Sequence, residues 1–124
     1  MAGYSRETTP VEMQDEALGE SRVVDAGGMT IAFERWKAPL DATPVFKGLP
    51  DDSCQSPHWG YLFKGRFRVK TKDGDEVVEA GQAYYLAPGH IPIIEEDVEL
   101  LEFSPAEERA ATMDHVASVL AARA

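Results

Sequence analysis

A single cysteine, Cys54, is the only thiol in this chain of 124 residues, so no internal disulfide can form. Positive charge is also scarce: 12 Lys and Arg stand against 22 Asp and Glu, a formal net charge of -10. Such a surface repels nucleic acid and anionic membranes, which excludes both as expected partners and leaves solubility as the plainer role of the charge. No apolar run approaches the roughly 20 residues that span a bilayer. Glu7 and Glu12 occupy the region where a signal peptide would carry a basic start and an apolar stretch, so a cytoplasmic protein is expected. Glycine-rich phosphate loops, a serine nucleophile elbow and paired zinc-ribbon cysteines are all missing. No organic cofactor is predicted.

The chain does hold many short apolar runs ended by turn residues. Residues 1–20 read as an N-terminal arm or short helix, with Thr9-Pro10-Val11-Glu12 as a capping sequence and Gly19 as its stop. From Ser21 the pattern alternates: Arg22 to Val24 and Met29 to Trp36 form a hairpin about Gly27-Gly28. Residues 38–57 carry four prolines and read as loop, with one short strand at Val45-Phe46. Strand-length runs follow at His58 to Phe63, Arg66 to Lys72, Glu76 to Glu79, Ala83 to Leu86, Ile91 to Ile94 and Val98 to Phe103. Close spacing of this kind predicts an all-β sandwich or small barrel over 21–104. Ser104-Pro105-Ala106-Glu107 then opens an Ala-rich helix over 105–124. Its stripe of Met113, Val116, Ala117 and Leu120 leaves His115 on the solvated face.

The stretch Asp52-Ser-Cys54-Gln-Ser-Pro-His58-Trp-Gly-Tyr-Leu-Phe-Lys-Gly65 sets three candidate metal ligands against an apolar strand. Together with Gly81, Pro88-Gly89 and His90 it resembles the two motifs of the cupins, a family of small double-stranded β-helix (jelly-roll) barrels. Gly65 falls at the last glycine of the first motif, which places His58 at the family's glutamate and Cys54 and Asp52 at its two histidines. Gly81 opens the second motif, Gly89 takes its second glycine, Ala87 its proline, Pro92 its histidine and Glu96 its asparagine. The glycine frame is largely kept, and each of the four usual ligands is replaced.

The resemblance implies that His58 faces the barrel cavity. Alternation then puts Gly60 and Leu62 on the same side and Trp59, Tyr61 and Phe63 on the other. Gly60 leaves space there for a ligand or for a neighbouring large side chain. One of Tyr84 and Tyr85 should also face the cavity, so the predicted pocket is His58, Gly60, Leu62 and one of those tyrosines. His90 lies two residues from the family's histidine, an offset that preserves its face in an extended segment.

Cys54, His58 and His90 supply the sulfur and nitrogen donors that suit zinc, and with Asp52 a mixed set for iron, nickel or copper. The plainer alternative is a small buried Cys54 with histidines bonded to nearby backbone. Arg66 and Arg68, and the acids Glu95-Glu96-Asp97, read as solvent-facing. Two functions follow from the resemblance: a metal-dependent enzyme acting on a small organic molecule, or a non-catalytic barrel that binds or senses a small ligand. Because small cupins pair through their sheets, the aromatic face opposite His58 implies a homodimer.

Overall fold

The computed structural model describes residues 2–123. Ten strands form two antiparallel sheets. The larger contains β1 (Val11–Asp15), β2 (Gly19–Ala26), β3 (Met29–Trp36), β5 (His58–Lys64), β8 (Ala83–Leu86) and β10 (Val98–Pro105), in the order β1-β2-β3-β10-β5-β8. The smaller contains β4 (Leu40–Asp41), β6 (Arg66–Thr71), β7 (Gly74–Glu79) and β9 (Ile91–Ile94), in the order β4-β9-β6-β7. Helical turn α1 (Thr43–Phe46) and a 3-10 turn at Pro50–Asp52 lie in the long connection, and helix α2 (Ala106–Arg123) closes the chain. No helix among the described residues is long and apolar enough to cross a membrane.

Alternation along the strands builds the barrel interior. Leu62, Phe67, Val69, Val78, Leu86, Ile94, Val98 and Leu100 form one buried cluster, joined by the ring of Tyr84. Burying such side chains is the main favourable term of folding, roughly 1.5–3 kcal/mol for each large one. Gly65 makes the β5–β6 turn possible: at φ +84° its backbone passes so close to the Asp97 carbonyl that a Cβ would overlap it. A second cluster of Ala42, Phe46, Cys54 and Val116, flanked by Val45, Leu49, Ile91 and Leu120, packs α2 and α1 over one end of the barrel.

Three local expectations are corrected. Residues 11–15 form an edge strand rather than a helix, because Val11 to Asp15 find backbone partners in β2. Four residues of capping sequence cannot outweigh a paired sheet edge, since short isolated helices are marginal. Val45 and Phe46 lie in the α1 turn rather than in a strand, with Pro44 at its start. His115 is half-buried rather than fully solvated, its Nε2–H donating to the Lys47 carbonyl at 2.7 Å. The helix itself begins at Ala106, one residue after the expected start because Pro105 still belongs to β10, with Thr112, Val116 and Arg109 as its buried residues and Ala117 exposed.

Candidate metal and ligand site in the barrel

β5 delivers His58 to the interior, and the preceding loop is tied to the segment before β9 by a two-bond bridge. Cys54 N–H donates to the His90 carbonyl at 3.0 Å, and Gly89 N–H to the Cys54 carbonyl at 2.7 Å. This bridge brings Cys54 and His90 to the same end of the barrel as His58. One ligand atom from each of the three residues lies within 4.8 Å of the others. Cys54 Sγ and His58 Nε2 are 3.5 Å apart, the separation of about 3.5 Å that two ligands of one tetrahedral zinc require. The widest pair would close by about 1 Å around an ion with bonds of about 2.0–2.3 Å.

Hydrogen bonds decide which nitrogen of each imidazole is free. His90 Nδ1 lies 2.7 Å from the Ala87 carbonyl, which only accepts, so the proton sits on Nδ1 and the Nε2 lone pair is open. His58 Nδ1 lies 2.6 Å from Ser104 Oγ and 3.2 Å from Glu102 Oε1. The carboxylate favours a proton on that nitrogen, which leaves Nε2 facing Cys54 with its lone pair open. This partner arrangement is the one that orients metal-binding histidines. Burial pushes both imidazoles down to about 4, so both are neutral near pH 7, as a ligand must be. Burial also raises the Cys54 thiol, more than Ser56, Thr112 and Arg109 lower it, so a bound metal would be what displaces its proton near pH 7. The residues present therefore fit a divalent transition ion with sulfur and nitrogen preference.

Asp52 lies outside this cluster. It is exposed in the 3-10 turn, and its Oδ1 accepts the Gly48 N–H at 2.9 Å. The pocket positions divide as well. His58 lines a cavity of about 210 Å³, with apolar walls that include Trp36, Phe46, Phe67 and Leu100. The space beside Gly60 is filled by the Tyr84 ring, which a Cβ at that position would overlap. Leu62 is fully buried in the barrel core. Tyr84 points inward, donating to Glu102 Oε2 at 2.8 Å, whereas Tyr85 is 54% exposed and packs on Trp59 on the outer surface. Of the expected pocket residues only His58 therefore lines the cavity: Tyr84 reaches it through Glu102, Gly60 and Leu62 are not in its lining, and Tyr85 lies on the outer surface.

Polar residues that the sequence did not single out share this cavity: Glu34, Glu102, Arg109 and Thr112, with Asp41 and Arg123 also in its lining. Glu34 Oε1 accepts the Trp36 indole N–H at 2.7 Å. Burial, reinforced by the neighbouring Glu102 charge, pushes Glu34 up to about 7 despite Arg109. Burial likewise raises Glu102. Arg109 from α2 forms a two-pronged pair with Glu12 of β1 at 2.8 and 2.9 Å and approaches Glu34 at 3.6 Å. Burial works against its charge, but the hydrogen bonds to Glu12 and the surrounding acids hold it cationic. Arg66 and Arg68 lie on the outside, pairing with Glu95, Glu96 and Asp75.

No protein-family description and no curated protein matches the sequence. Solved structures do match the fold. An RmlC-like cupin from Shewanella frigidimarina shares 13% identity at a TM-score of 0.59, over 85% of this chain and 91% of that one. KdgF from a Halomonas species shares 13% at 0.58, over 84% and 94%. A mutant of the oxalate decarboxylase OxdC from Bacillus subtilis shares 20% at 0.54, over 82% of this chain but 28% of that longer one. Identities this low speak to the fold alone. Two antiparallel sheets, the kept glycine frame and these neighbours lead to one conclusion: the chain folds as a small cupin, a jelly-roll barrel with a C-terminal helix.

Proposed function

We propose that this cupin barrel binds one divalent transition metal through Cys54, His58 and His90 and acts as a metal-dependent enzyme on a small organic molecule. Zinc is the first choice for a sulfur and two nitrogens, then iron or nickel. The observation that carries the reading is the convergence of three donor atoms within 4.8 Å, with both imidazoles presenting Nε2 by virtue of their outer hydrogen bonds. A metal bound there supplies a Lewis acid or an activated water or oxygen. The chain's own residues contribute the rest. Apolar walls exclude water, and Glu34, pushed up to about 7, can take or give a proton at Oε2.

Metal analysis of protein purified without added metal, followed by chelator removal and a search for restored turnover, tests this proposal. Stoichiometric metal whose loss abolishes turnover supports it; a metal-free chain that takes up no cobalt overturns it. A second reading, a non-catalytic barrel that holds or senses a small ligand, is favoured by the largely apolar cavity. Mass spectrometry of a metal-free preparation that releases a bound metabolite would select it.

We also propose a homodimer through the outer face of the larger sheet. Trp59, Tyr61, Phe63, Tyr85 and Phe103 are exposed there side by side, and no acid interrupts Trp59, Tyr61 and Phe63 along the outer face of β5. A two-fold contact sets the same patch on itself, which matches apolar area with apolar area and spares a chain of charge -10 from pairing acid with acid. Light scattering should give twice the chain mass, and Phe63→Ser should shift it toward monomer; wild-type monomer at all concentrations contradicts the contact. The cytoplasm is the proposed compartment, where Cys54 would stay a reduced thiol.

A further inference from the structure

Charge inside the barrel is unbalanced. The buried Glu34 and Glu102 meet a single buried cation, Arg109, whose two Nη groups are both taken by Glu12 of the exposed edge strand β1. Glu102 spends Oε2 on the Tyr84 hydroxyl and sets Oε1 against His58. Glu34 differs from it. Oε1 holds the Trp36 indole, but Oε2 has only Arg109 at 3.6 Å, beyond hydrogen-bond reach, and no donor among the described residues. That oxygen belongs to a buried residue that lines the cavity.

A buried carboxylate with a free acceptor position requires a proton, a donor or a cation. A divalent ion held with the Cys54 thiolate would add one net positive charge, offsetting one of the two carboxylates that Arg109 leaves uncompensated. The other remains at Glu34. Around it the cavity presents Trp36, Phe46 and Phe67, whose ring faces attract cations, and the aliphatic walls of Leu86, Ile94 and Leu100. The volume of about 210 Å³ suits a small molecule, below the roughly 300 Å³ at which drug-sized pockets begin. An anionic ligand would meet Glu34 and Glu102 in the interior, where Arg109 is already taken by Glu12 and the other cation of the lining, Arg123, lies exposed at the end of α2.

We propose that the cavity takes a small apolar amine, its ammonium group donating to Glu34 Oε2 and its hydrocarbon body lying against Trp36, Phe67 and Leu100. This rests on the cavity being a small-molecule site, and it holds with or without a metal. The test is calorimetric titration of the full chain, metal-stripped and cobalt-loaded, with three probes of matched size: phenethylamine, phenethyl alcohol and phenylacetate. The amine should bind about tenfold or more tighter than the alcohol, the gain of one charge-assisted hydrogen bond, and phenylacetate should bind weakest. Glu34→Gln, which preserves an acceptor for Trp36, should remove the preference, and Glu34→Asp should retain part of it.

The Trp36 indole resonance in ¹⁵N NMR gives an independent readout. It should shift with the amine in the wild type and not with phenylacetate. Equal binding of amine and alcohol, binding of none of the three, or a preference that survives in folded Glu34→Gln overturns the proposal. A cobalt titration of the same wild-type sample separates the two readings. Amine preference without cobalt binding removes the metal and keeps the amine, whereas cobalt binding without preference does the reverse.

Discussion

The two sheets line the same interior with opposite chemistry. The smaller sheet presents Phe67, Val69, Val78, Ile93 and Ile94, and no polar side chain of its strands is buried among the described residues. The larger sheet buries Ser21, Thr30, Glu34, Glu102 and Ser104 beside Leu62, Val98 and Leu100. Burial of carboxylates lowers stability unless they are fully paired, so the larger sheet carries groups that the fold alone does not require. One sheet closes the barrel, and the other equips it.

Substitutions should therefore act differently on the two sides. Leu62, at the apolar end of the larger sheet, and Phe67, opposite it, serve as the stability control: Phe67→Ala should cost about 3–5 kcal/mol in urea unfolding while the remaining folded protein still takes up cobalt. On the equipped side the first effect is on ligands. His58→Ala or His90→Ala should weaken cobalt binding by about a hundredfold or more, since even partner residues outside a ligand set cost about 10–100-fold. Ser104→Ala, which removes the 2.6 Å partner of His58 Nδ1, should cost about tenfold in the same titration.

The pH dependence sharpens the comparison further. Glu34 is pushed up to about 7 in the fold, against 4.5 when unconstrained, so the folded state binds the extra proton and stability falls as pH rises between those values. His58 and His90, pushed down to about 4, act oppositely: stability is lost as pH falls from 6.5 toward 4. The wild-type profile mixes both. Subtracting it from that of Glu34→Gln isolates the carboxylate, and the variant should gain about 3 kcal/mol relative to wild type between pH 4.5 and 7. A difference that stays flat with pH would place Glu34 in a solvated setting. The smallest effect belongs to the outer surface, where Arg66→Ala should change stability by about 1 kcal/mol or less, because its pairs with Glu95 and Glu96 are exposed.

Much of the barrel was legible because turn glycines and strand alternation are local signals. Gly65 and Gly81 take positive φ, and the face that carries His58, Gly60 and Leu62 turns inward while Trp59, Tyr61 and Phe63 turn outward. The pairing of Cys54 with His58 and His90 was legible in part, since an offset of two residues keeps a side chain on its face. Glu34 and Glu102 escaped notice for a physical reason. β3 and β10 place Ile31, Phe33, Leu101 and Phe103 on the outer face and the acids within, the reverse of the usual polar-out pattern. Arg109 escaped because its partner Glu12 lies 97 residues earlier, on a segment whose capping sequence read as a helix. The edge strand that seats Glu12 depends on β2, a contact no local pattern encodes.

The central claim is that Cys54, His58 and His90 hold one metal ion, and cobalt(II) titration of the chelator-treated chain tests it most directly. The account predicts visible absorbance that saturates at one equivalent, with a thiolate-to-cobalt band that disappears in Cys54→Ser. Absorbance unchanged through several equivalents would contradict it.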